Sequence, residues 1–377
     1  MIPTAKPKGP ALESVFQYIR ELDSRRVYSN QGPLVRELEY RCAFLLGVDP
    51  HCVVTASSGT AALIALLLAE KKYTSGICAM PAWTYSATAA GALQAGLTPY
   101  FLDVDEDTWS LDPDNTIARA KGLSPAAILP VAPFGTKLQW DAWEYVATKT
   151  DVPVVIDAAA AFDVIASTKM VSNISFMVSL HATKLLGCGE GGIAVVKNRR
   201  VAEEVRRFLN FGFFGERTAR VQGFNGKLSE YHAAVGLAAL DEWAIRREQW
   251  LEAKRLLRRN IIQIPGIKLG PDAVAENATS TFNVIIDSNI EKLQSLLKKN
   301  SIGSLRWWGS GCAKQPAYSK CPTDPLPVTN LLSQRVLGLP FFCDISRSEV
   351  GRIGDALEQF TTQKHQLNQE IGTVSTA

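Results

Sequence analysis

Seven short apolar runs alternate with longer stretches of helical spacing through the first half of the chain, and this alternation most limits the folds it can adopt. Most runs contain β-branched Val, Ile or Thr, and they lie at 52–56, 77–80, 99–104, 126–131, 152–157, 176–180 and 192–196. Strands that are apolar throughout are typical of a sheet buried on both faces, and intervening helices are typical of parallel crossover connections. The pattern therefore predicts an α/β protein with a mostly parallel sheet.

Apolar residues at helical spacing predict the accompanying helices, which we place at 33–46, 60–72, 84–95, 112–121 and 140–149. The pattern changes near residue 200, where two helices are expected, at 199–211 and 227–263. A mixed segment follows, with a strand at 281–287, a helix at 289–299, a stretch rich in Gly, Pro and Trp at 303–328 and a last helix at 346–361. We therefore expect a large domain over residues 1–240 and a small α+β domain over residues 241–377.

Charge and cysteine content exclude several classes of protein. The 377 residues carry 40 Lys and Arg against 37 Asp and Glu, so no strong basic field attracts nucleic acid or anionic membranes. The seven cysteines form no CxxC pair, which disfavours a zinc site and fits a reducing compartment. The chain starts without the apolar core of a signal peptide, and its longest apolar run, 61–69, is too short to cross a bilayer. We expect a cytoplasmic protein that binds neither nucleic acid, nor membrane, nor metal.

The first candidate site is Ser57–Thr60, at the junction between a predicted strand and a predicted helix. Glycine allows close approach of the backbone, and the free N–H groups at a helix start attract phosphate. An ordinary helix N-cap explains the same residues, and taken alone it is the better explanation, because this pattern is common before helices.

The second candidate is Asp157, which ends the apolar run 152–157. Ligands of α/β proteins bind at the carboxyl ends of parallel strands, where a buried carboxylate could hold a protonated ring nitrogen. Capping of the following turn is an equally good explanation of a single aspartate.

The third candidate is Lys184, which follows a predicted strand and precedes the glycine cluster 187–192. A lysine held in a tight, buried turn has a destabilised ammonium and can form a Schiff base with a carbonyl compound. Ser179, five residues earlier, could direct its hydroxyl to the same ligand, whereas His181 is expected to be structural. A phosphate seat, a carboxylate and a Schiff-base lysine are together what pyridoxal 5′-phosphate requires.

Beyond these residues, the sequence resembles the DegT/DnrJ/EryC1/StrS family of pyridoxal-phosphate-dependent sugar-nucleotide aminotransferases. The resemblance covers nearly the whole chain and is carried by NQGPLVRELE (30–39), SSGTAALIALLLA (57–69), PAWTYSATAAGALQAGLTPYFLDVD (81–105), VVIDAAAAF (154–162), SLHATKLLGCGEGG (179–192), GFNGKLSEYHAAVGLAAL (223–240) and LPFFCDISRSEVGRI (339–353). It implies the aspartate-aminotransferase fold, fold type I, with a mostly parallel seven-stranded sheet and a small C-terminal α+β domain.

The resemblance also implies roles for individual residues. Lys184 matches the catalytic lysine that binds the cofactor and moves the substrate proton, and Asp157 matches the acid that keeps the pyridine nitrogen protonated. The family's phosphate-binding groups match Ser58, Gly59, Thr60 and Ser179. Tyr85 matches the aromatic residue that stacks on the cofactor ring, while Trp83 is expected to pack. Asn225 matches a residue that reaches the cofactor phosphate of the partner subunit, which implies a homodimer.

Two positions depart from the family pattern. Ala160 stands where many relatives carry His or Gln near the cofactor's 3-hydroxyl, and residues 131–135 read VAPFG where the family usually has VHxxG. Neither change removes Lys184 or Asp157. Dehydratase relatives replace the lysine with histidine, so Lys184 favours transamination.

The segment 306–311 resembles the family's nucleotide-sugar border. Arg306 suits a diphosphate and Trp308 offers a flat face for a sugar or base, although one of Trp307 and Trp308 is expected to pack the small domain. The resemblance implies transfer of an amino group from glutamate to C4 of a dTDP-linked 4-keto-6-deoxyhexose, in amino-sugar biosynthesis for O-antigen or another glycan. Alternatives are C3 amination, amination of a cyclitol ketone, and a non-catalytic cofactor or sugar sensor.

Overall fold

The computed structural model describes residues 1–137, 139–169, 173–287 and 289–374, with side chains as far as residue 362. Each of the seven apolar runs overlaps a strand. The strands are β1 (Val53–Ala56), β2 (Gly76–Pro81), β3 (Leu97–Leu102), β4 (Ala127–Ile128), β5 (Val155–Asp157), β6 (Ser175–Ser179) and β7 (Gly192–Val195). The helices among them are α1 (Leu12–Arg25), α2 (Pro33–Leu46), α3 (Gly59–Glu70), α4 (Ser86–Gln94), α5 (Pro113–Leu123), α6 (Trp140–Thr150), α7 (Phe162–Thr168) and α8 (Arg199–Leu209).

The seven strands form one sheet in the order β1–β7–β6–β5–β4–β2–β3. β4 joins β5 through parallel bridges from Ile128 to Val154 and from Val131 to Asp157. Only β7 runs against its neighbours, since it pairs antiparallel with both β1 and β6. The remaining pairs are parallel, so β1, β5 and β6 end at the same edge. The prediction of a mostly parallel sheet is confirmed.

Helix α3 explains why its sequence is apolar on every side. It packs on β6 and β7 and is covered by α4 and α8, so its residues from Ala61 to Leu67 are buried. A helix that is apolar all round must be surrounded by protein. Its N-terminus therefore stands rigidly above the ends of β1 and β6.

The C-terminal part is built from helices and a separate antiparallel sheet. Its strands, in the order β10–β9–β8, are β8 (Ile267–Leu269), β9 (Asn283–Ile286) and β10 (Val336–Gly338). Its helices are α9 (Glu230–Asp241), α10 (Trp243–Ile261), α11 (Pro271–Val274), α12 (Ile290–Lys299), α13 (Pro327–Arg335) and α14 (Arg347–Val374). The predicted strand at 281–287 and the helix at 289–299 are both present.

The single long helix predicted over 227–263 is wrong, because α9 and α10 are separate helices that meet at Glu242. The backbone of Glu242 has φ −91° and ψ 0°. Its carboxylate accepts the N–H of Ala11 at 2.8 Å and contacts Arg246 at 2.7 Å. The break is thus supported by a residue more than two hundred positions away, which the local sequence does not reveal.

The first residues of the chain pack on its C-terminal part. Ile2 is buried and forms a parallel bridge with Ile302, while Thr4 accepts the N–H of Phe341 at 3.0 Å. The division at residue 240 stays a prediction, and residues 375–377 of the predicted small domain lie outside the described residues. Over the described part of the chain, no helix has the length and apolar character needed to span a bilayer.

Candidate active site

Strand register brings the three sequence candidates to one edge of the sheet. Ser179 ends β6 opposite Gly192 of β7, and Gly192 also pairs with Ala56 at the end of β1. Asp157 ends β5 opposite Met177, two residues before Ser179. Because the carboxyl ends of parallel strands share one edge, the junction after β1, Asp157 and Ser179 become neighbours.

The Ser57–Thr60 junction is both a helix cap and an open donor site. Ser58 is the N-cap of α3, and its Oγ accepts the N–H of Ala61 at 3.0 Å. The N–H groups of Gly59 and Thr60 have no hydrogen-bond partner among the described residues. Two unpaired donors at a helix start form a ready site for an anion. The capping role predicted as the alternative is therefore present and leaves the site open.

Two glycines allow this junction to lie directly on the sheet. A Cβ atom at Gly59 would lie 3.1 Å from the Sδ of Met177 and from the Cβ of Ser179. A Cβ atom at Gly192 would lie 2.5 Å from the carbonyl oxygen of Ser58 and 2.6 Å from the nitrogen of Gly59. The backbone contacts at Gly192 leave no room for a side chain, whereas the contacts at Gly59 are with side-chain atoms and are less severe.

Asp157 is buried, and each of its carboxylate oxygens accepts one hydrogen bond. Its Oδ1 accepts the N–H of Ala159 at 3.1 Å, and its Oδ2 accepts the hydroxyl of Thr88 at 2.8 Å. Burial raises the pKa of Asp157, whereas the bonds from Thr88 and Ala159 and the charge of Lys184 oppose that rise. Asp157 does cap its own turn, as the alternative explanation held, but the bond from Thr88 comes from a different helix.

Lys184 lies in a tight turn between β6 and β7. Its N–H bonds to the carbonyl of His181 at 2.8 Å, and Gly187 packs so closely on Ala182 that a Cβ atom would lie 3.0 Å from the Ala182 oxygen. Burial lowers the pKa of Lys184, and the charge of Asp157 partly opposes this. A lysine with a lowered pKa is more often neutral, which is the form that attacks a carbonyl group.

His181 has a local structural partner. Its Nδ1 lies 2.9 Å from the hydroxyl of Thr183, and its Nε2 lies 3.7 Å from the carboxylate of Glu190. Both contacts lie within the same turn, in agreement with the structural role expected from the sequence.

The N-terminal segment also borders the lysine, which was not predicted from the sequence. Residues 5–8 line a cleft together with Thr183, Lys184 and Ser280. The carbonyls of Lys8 and Gly9 are held by Arg246 of α10. These contacts join residues far apart in the chain, so no local pattern in residues 1–10 could predict them.

The four outlying candidates have no direct contact with Lys184 or Asp157 among the described residues. Tyr85 is 62% exposed at the start of α4. The Oδ1 of Asn225 accepts a hydrogen bond from the ammonium of Lys227 at 2.9 Å. Arg306 bonds to the carbonyl of Ser333 and lies 3.3 Å from Glu291.

Trp308 belongs to an aromatic cluster. Its ring stacks on Phe134 with centroids 4.0 Å apart and meets the edge of Trp83 at 5.5 Å. One face of Trp308 is therefore occupied by protein, and Trp83 is buried as expected of a packing residue. Trp307 is half-buried, and its indole N–H has no partner within the described residues.

The groups collected at this edge fit pyridoxal phosphate. Unpaired N–H groups and hydroxyls suit its phosphate, a buried carboxylate suits its ring nitrogen, and a buried amine suits its aldehyde. The backbone contacts at Gly192 leave no space for a side chain where the phosphate donors converge. Across the residues that the structure describes, no three His, Cys, Asp or Glu side chains gather as a metal site would require.

Comparisons with known proteins match this chain to one family of aminotransferases over almost its full length. The profile of the DegT/DnrJ/EryC1/StrS aminotransferase family matches residues 12–358. The dTDP-4-amino-4,6-dideoxy-D-glucose transaminase of Escherichia coli is 30% identical over 369 residues, covering 93% of this chain and 96% of that protein.

Solved structures agree as well. DesI, crystallised in the presence of its TDP-sugar product, is 28% identical with a TM-score of 0.87, covering 98% of this chain and 95% of that one. A structure named as a PLP-dependent aminotransferase of Bacillus cereus is 26% identical with a TM-score of 0.87, covering 94% of this chain and 99% of that one. The predicted fold class is confirmed, and the chain belongs to the DegT/DnrJ/EryC1/StrS aminotransferase family.

Proposed function

We propose that this chain is a pyridoxal-phosphate-dependent aminotransferase that transfers the amino group of glutamate to C4 of a dTDP-linked 4-keto-6-deoxyhexose. The observation that carries the chemistry is a buried lysine of lowered pKa that interacts electrostatically with a buried aspartate, together with open N–H donors at a helix start. These three features suit the aldehyde, the ring nitrogen and the phosphate of pyridoxal phosphate, respectively.

The cofactor would be held at four points. The amine of Lys184 would bond to the aldehyde carbon, the carboxylate of Asp157 would pair with the ring nitrogen, and Tyr85 would cover the ring. The phosphate would be held by Ser58, Gly59, Thr60 and Ser179. Pyridoxal phosphate, when bound, supplies an electron sink that weakens bonds at the amino-bearing carbon.

The proton transfers fall to Lys184. Burial lowers the pKa of Lys184, which favours the neutral amine, and the neutral amine could accept the proton from the donor's α-carbon. The same ammonium can then return a proton at the cofactor side. Asp157 supports both steps, since a carboxylate beside the ring nitrogen favours the protonated ring.

A homodimer in the cytoplasm completes the proposal. Asn225 is exposed on its own subunit, as expected of a residue that serves a neighbouring site. Large apolar side chains near it are also exposed, among them Phe211 and Phe214. All seven cysteines are free, which fits a reducing compartment.

The sugar assignment rests on the relatives. The Escherichia coli protein acts at C4 of a dTDP sugar, and DesI was crystallised with a TDP-sugar product. In this chain Arg306 would bind the diphosphate, which would replace Glu291 as its partner. The exposed ion pair between Arg306 and Glu291 is weak, so it would not prevent this. Trp308 is buried against Phe134 and Trp83, so it would reach the sugar or base only through the small part of its ring that stays exposed. The product, an amino sugar, would supply glycan assembly such as that of O-antigen.

The two half-reactions test the proposal separately. Purified protein is loaded with pyridoxal phosphate, and glutamate is added alone while the visible absorbance of the cofactor is followed. The pyridoxamine form is then offered 4-keto and 3-keto dTDP sugars and a cyclitol ketone, and products are identified by NMR. We expect loss of the visible band with glutamate and a C4 amine with the 4-keto sugar.

A matched pair of variants assigns the lysine. Lys184→Ala should abolish the visible band and both half-reactions, whereas Lys121→Ala, at an exposed lysine of α5, should change neither. A Lys184→Ala protein that still deaminates glutamate would contradict the role of the lysine. Amination only at C3 or of the cyclitol would overturn the sugar assignment, and a protein that binds the cofactor without either half-reaction would be a sensor.

A further inference from the structure

A chain of two buried hydroxyl groups leads to Asp157 from the start of α4. The hydroxyls of Thr84 and Thr88 lie 2.8 Å apart, and the hydroxyl of Thr88 lies 2.8 Å from Oδ2 of Asp157. Thr88 is 0% exposed and Thr84 is 2% exposed. Neither residue was identified as a site residue from the sequence, because no local pattern marks either threonine.

The direction of the hydrogen bonds along this chain follows from proton counting. A carboxylate can only accept hydrogen bonds, so the single O–H of Thr88 donates its hydrogen bond to Asp157. The oxygen of Thr88 is then left to accept, and the proton between the two threonines must come from Thr84. Each hydroxyl is therefore used in one direction, which polarises the bond that reaches the carboxylate.

The hydroxyl chain is held by rigid surroundings. Tyr85 is the N-cap residue of α4, and its carbonyl accepts the N–H of Thr88 at 3.1 Å. The segment is also tied from the C-terminal part, because the hydroxyl of Tyr318 bonds to the carbonyl of Ser86 at 3.0 Å. The N–H of Cys312 bonds to the carbonyl of Ala82 at 2.7 Å. Thr88 thus approaches Asp157 from a fixed position.

We propose that Thr88, oriented by Thr84, is a positioning residue that keeps the carboxylate of Asp157 ionised and pointed in one direction. Oδ1 is turned by the N–H of Ala159 and Oδ2 by Thr88, so rotation of the carboxylate breaks both bonds. A hydrogen bond to the charged form favours that form in a buried site. The catalytic meaning of this arrangement rests on the proposed role of Asp157 toward the cofactor ring.

The first test uses the protein without cofactor. The protonated carboxyl band of Asp157 is followed by infrared spectroscopy against pH and assigned by its absence in Asp157→Asn. Thr88→Val should raise the pKa of Asp157 by about one unit, since a hydrogen bond to a charged group contributes about 1.5 kcal/mol or more. Thr88→Ser should restore the wild-type titration, and Thr84→Val should give a smaller rise.

A matched control removes a buried threonine hydroxyl elsewhere. Thr116 is 2% exposed, and its hydroxyl bonds to the carbonyl of Asp112 at 2.7 Å in α5. Thr116→Val should leave the titration of Asp157 unchanged. An unchanged titration in Thr88→Val as well, with the protein folded, would overturn the proposal.

The second test separates this proposal from the role of Asp157. When pyridoxamine phosphate is added back to the protein, Thr88→Val should weaken its binding about tenfold. In the Asp157→Asn background the same substitution should have no further effect. Equal effects in both backgrounds would show that Thr88 acts only on packing. If Asp157→Asn binds the cofactor normally, the assignment of Asp157 fails while the infrared result still reports on Thr88.

Discussion

Gly192→Ala is the substitution that most directly tests the phosphate seat. Gly192 lies between Ser179 of β6 and Ala56 of β1, directly beneath the Ser58–Gly59 peptide. The added methyl group would lie 2.5 Å from the carbonyl oxygen of Ser58 and 2.6 Å from the nitrogen of Gly59. Both are backbone atoms, so no side-chain rotation can relieve the contact.

The size of the effect follows from this distance. The methyl group would be roughly 0.9 Å short of ordinary contact, and overpacking of this kind destabilises a core by about 1–3 kcal/mol. Relief requires the junction to move away from Ser179, which displaces the N–H groups of Gly59 and Thr60. A loss of about 1.4 kcal/mol in phosphate binding corresponds to a tenfold loss of affinity.

The assay compares two ligands that differ by the phosphate alone. Binding of pyridoxamine phosphate and of pyridoxamine is measured by calorimetry, and unfolding by denaturant. Gly192→Ala should reduce the preference for the phosphorylated ligand about tenfold, because the donors it displaces face only the phosphate. Gly122→Ala is the control, since a Cβ atom in that part of α5 meets nothing within 4 Å and should raise stability slightly.

Two results would refute the reasoning. If Gly192→Ala is destabilised but keeps the full preference for the phosphorylated ligand, the junction after β1 does not bind the phosphate. If neither stability nor preference changes, the close approach of the strand and the junction is wrong.

Three further predictions concern stability and assembly. Burial lowers the pKa of Lys254 to about 8, so the unfolded chain holds the proton longer than the folded one as the pH rises. The wild-type free energy of unfolding should therefore increase relative to Lys254→Met between about pH 8 and 10.5, by up to about 3 kcal/mol, and a constant difference would contradict this. Glu230 accepts the N–H groups of Leu34 and Val35 at the start of α2, so Glu230→Gln should lower the free energy of unfolding by about 1–2 kcal/mol, measured in urea. Random mixing of Lys184→Ala and Asn225→Ala subunits should restore about a quarter of wild-type activity if each site is built from two chains, and none if it is not.

The fold could be predicted where it is encoded locally. Each of the seven strands is an apolar run bounded by a turn, and α2 begins at Pro33 and ends before Gly47, whose φ is +73°. The order of the strands and the reversal of β7 could not be predicted in this way. They depend on pairings such as Ala56 with Gly192, which join residues far apart in sequence.

In the candidate site as well, the residues marked by local sequence could be predicted, and those that depend on distant contacts could not. Ser58 and Lys184 follow a strand and Asp157 ends one, so their shared edge could be predicted, although their roles stay predictions. Thr88 could not be predicted as a site residue, because its role depends on a hydrogen bond from its hydroxyl to the carboxylate of Asp157, 69 positions later. The N-terminal segment 5–8 was missed for the same reason.

The segment after Asp157 shows why the threonine pair matters in this chain. Four alanines, Ala158–Ala161, follow the aspartate, so no side chain of its own turn can hydrogen-bond to the carboxylate or to a ligand beside it. Gly135 packs on this turn so closely that a Cβ atom would lie 2.4 Å from the oxygen of Ala160. Within the described residues, the side-chain hydrogen bond that holds Asp157 comes from Thr88. The orientation of the acid is therefore set from α4, the same helix start that presents Tyr85, so any movement of that helix start changes the position of both groups together.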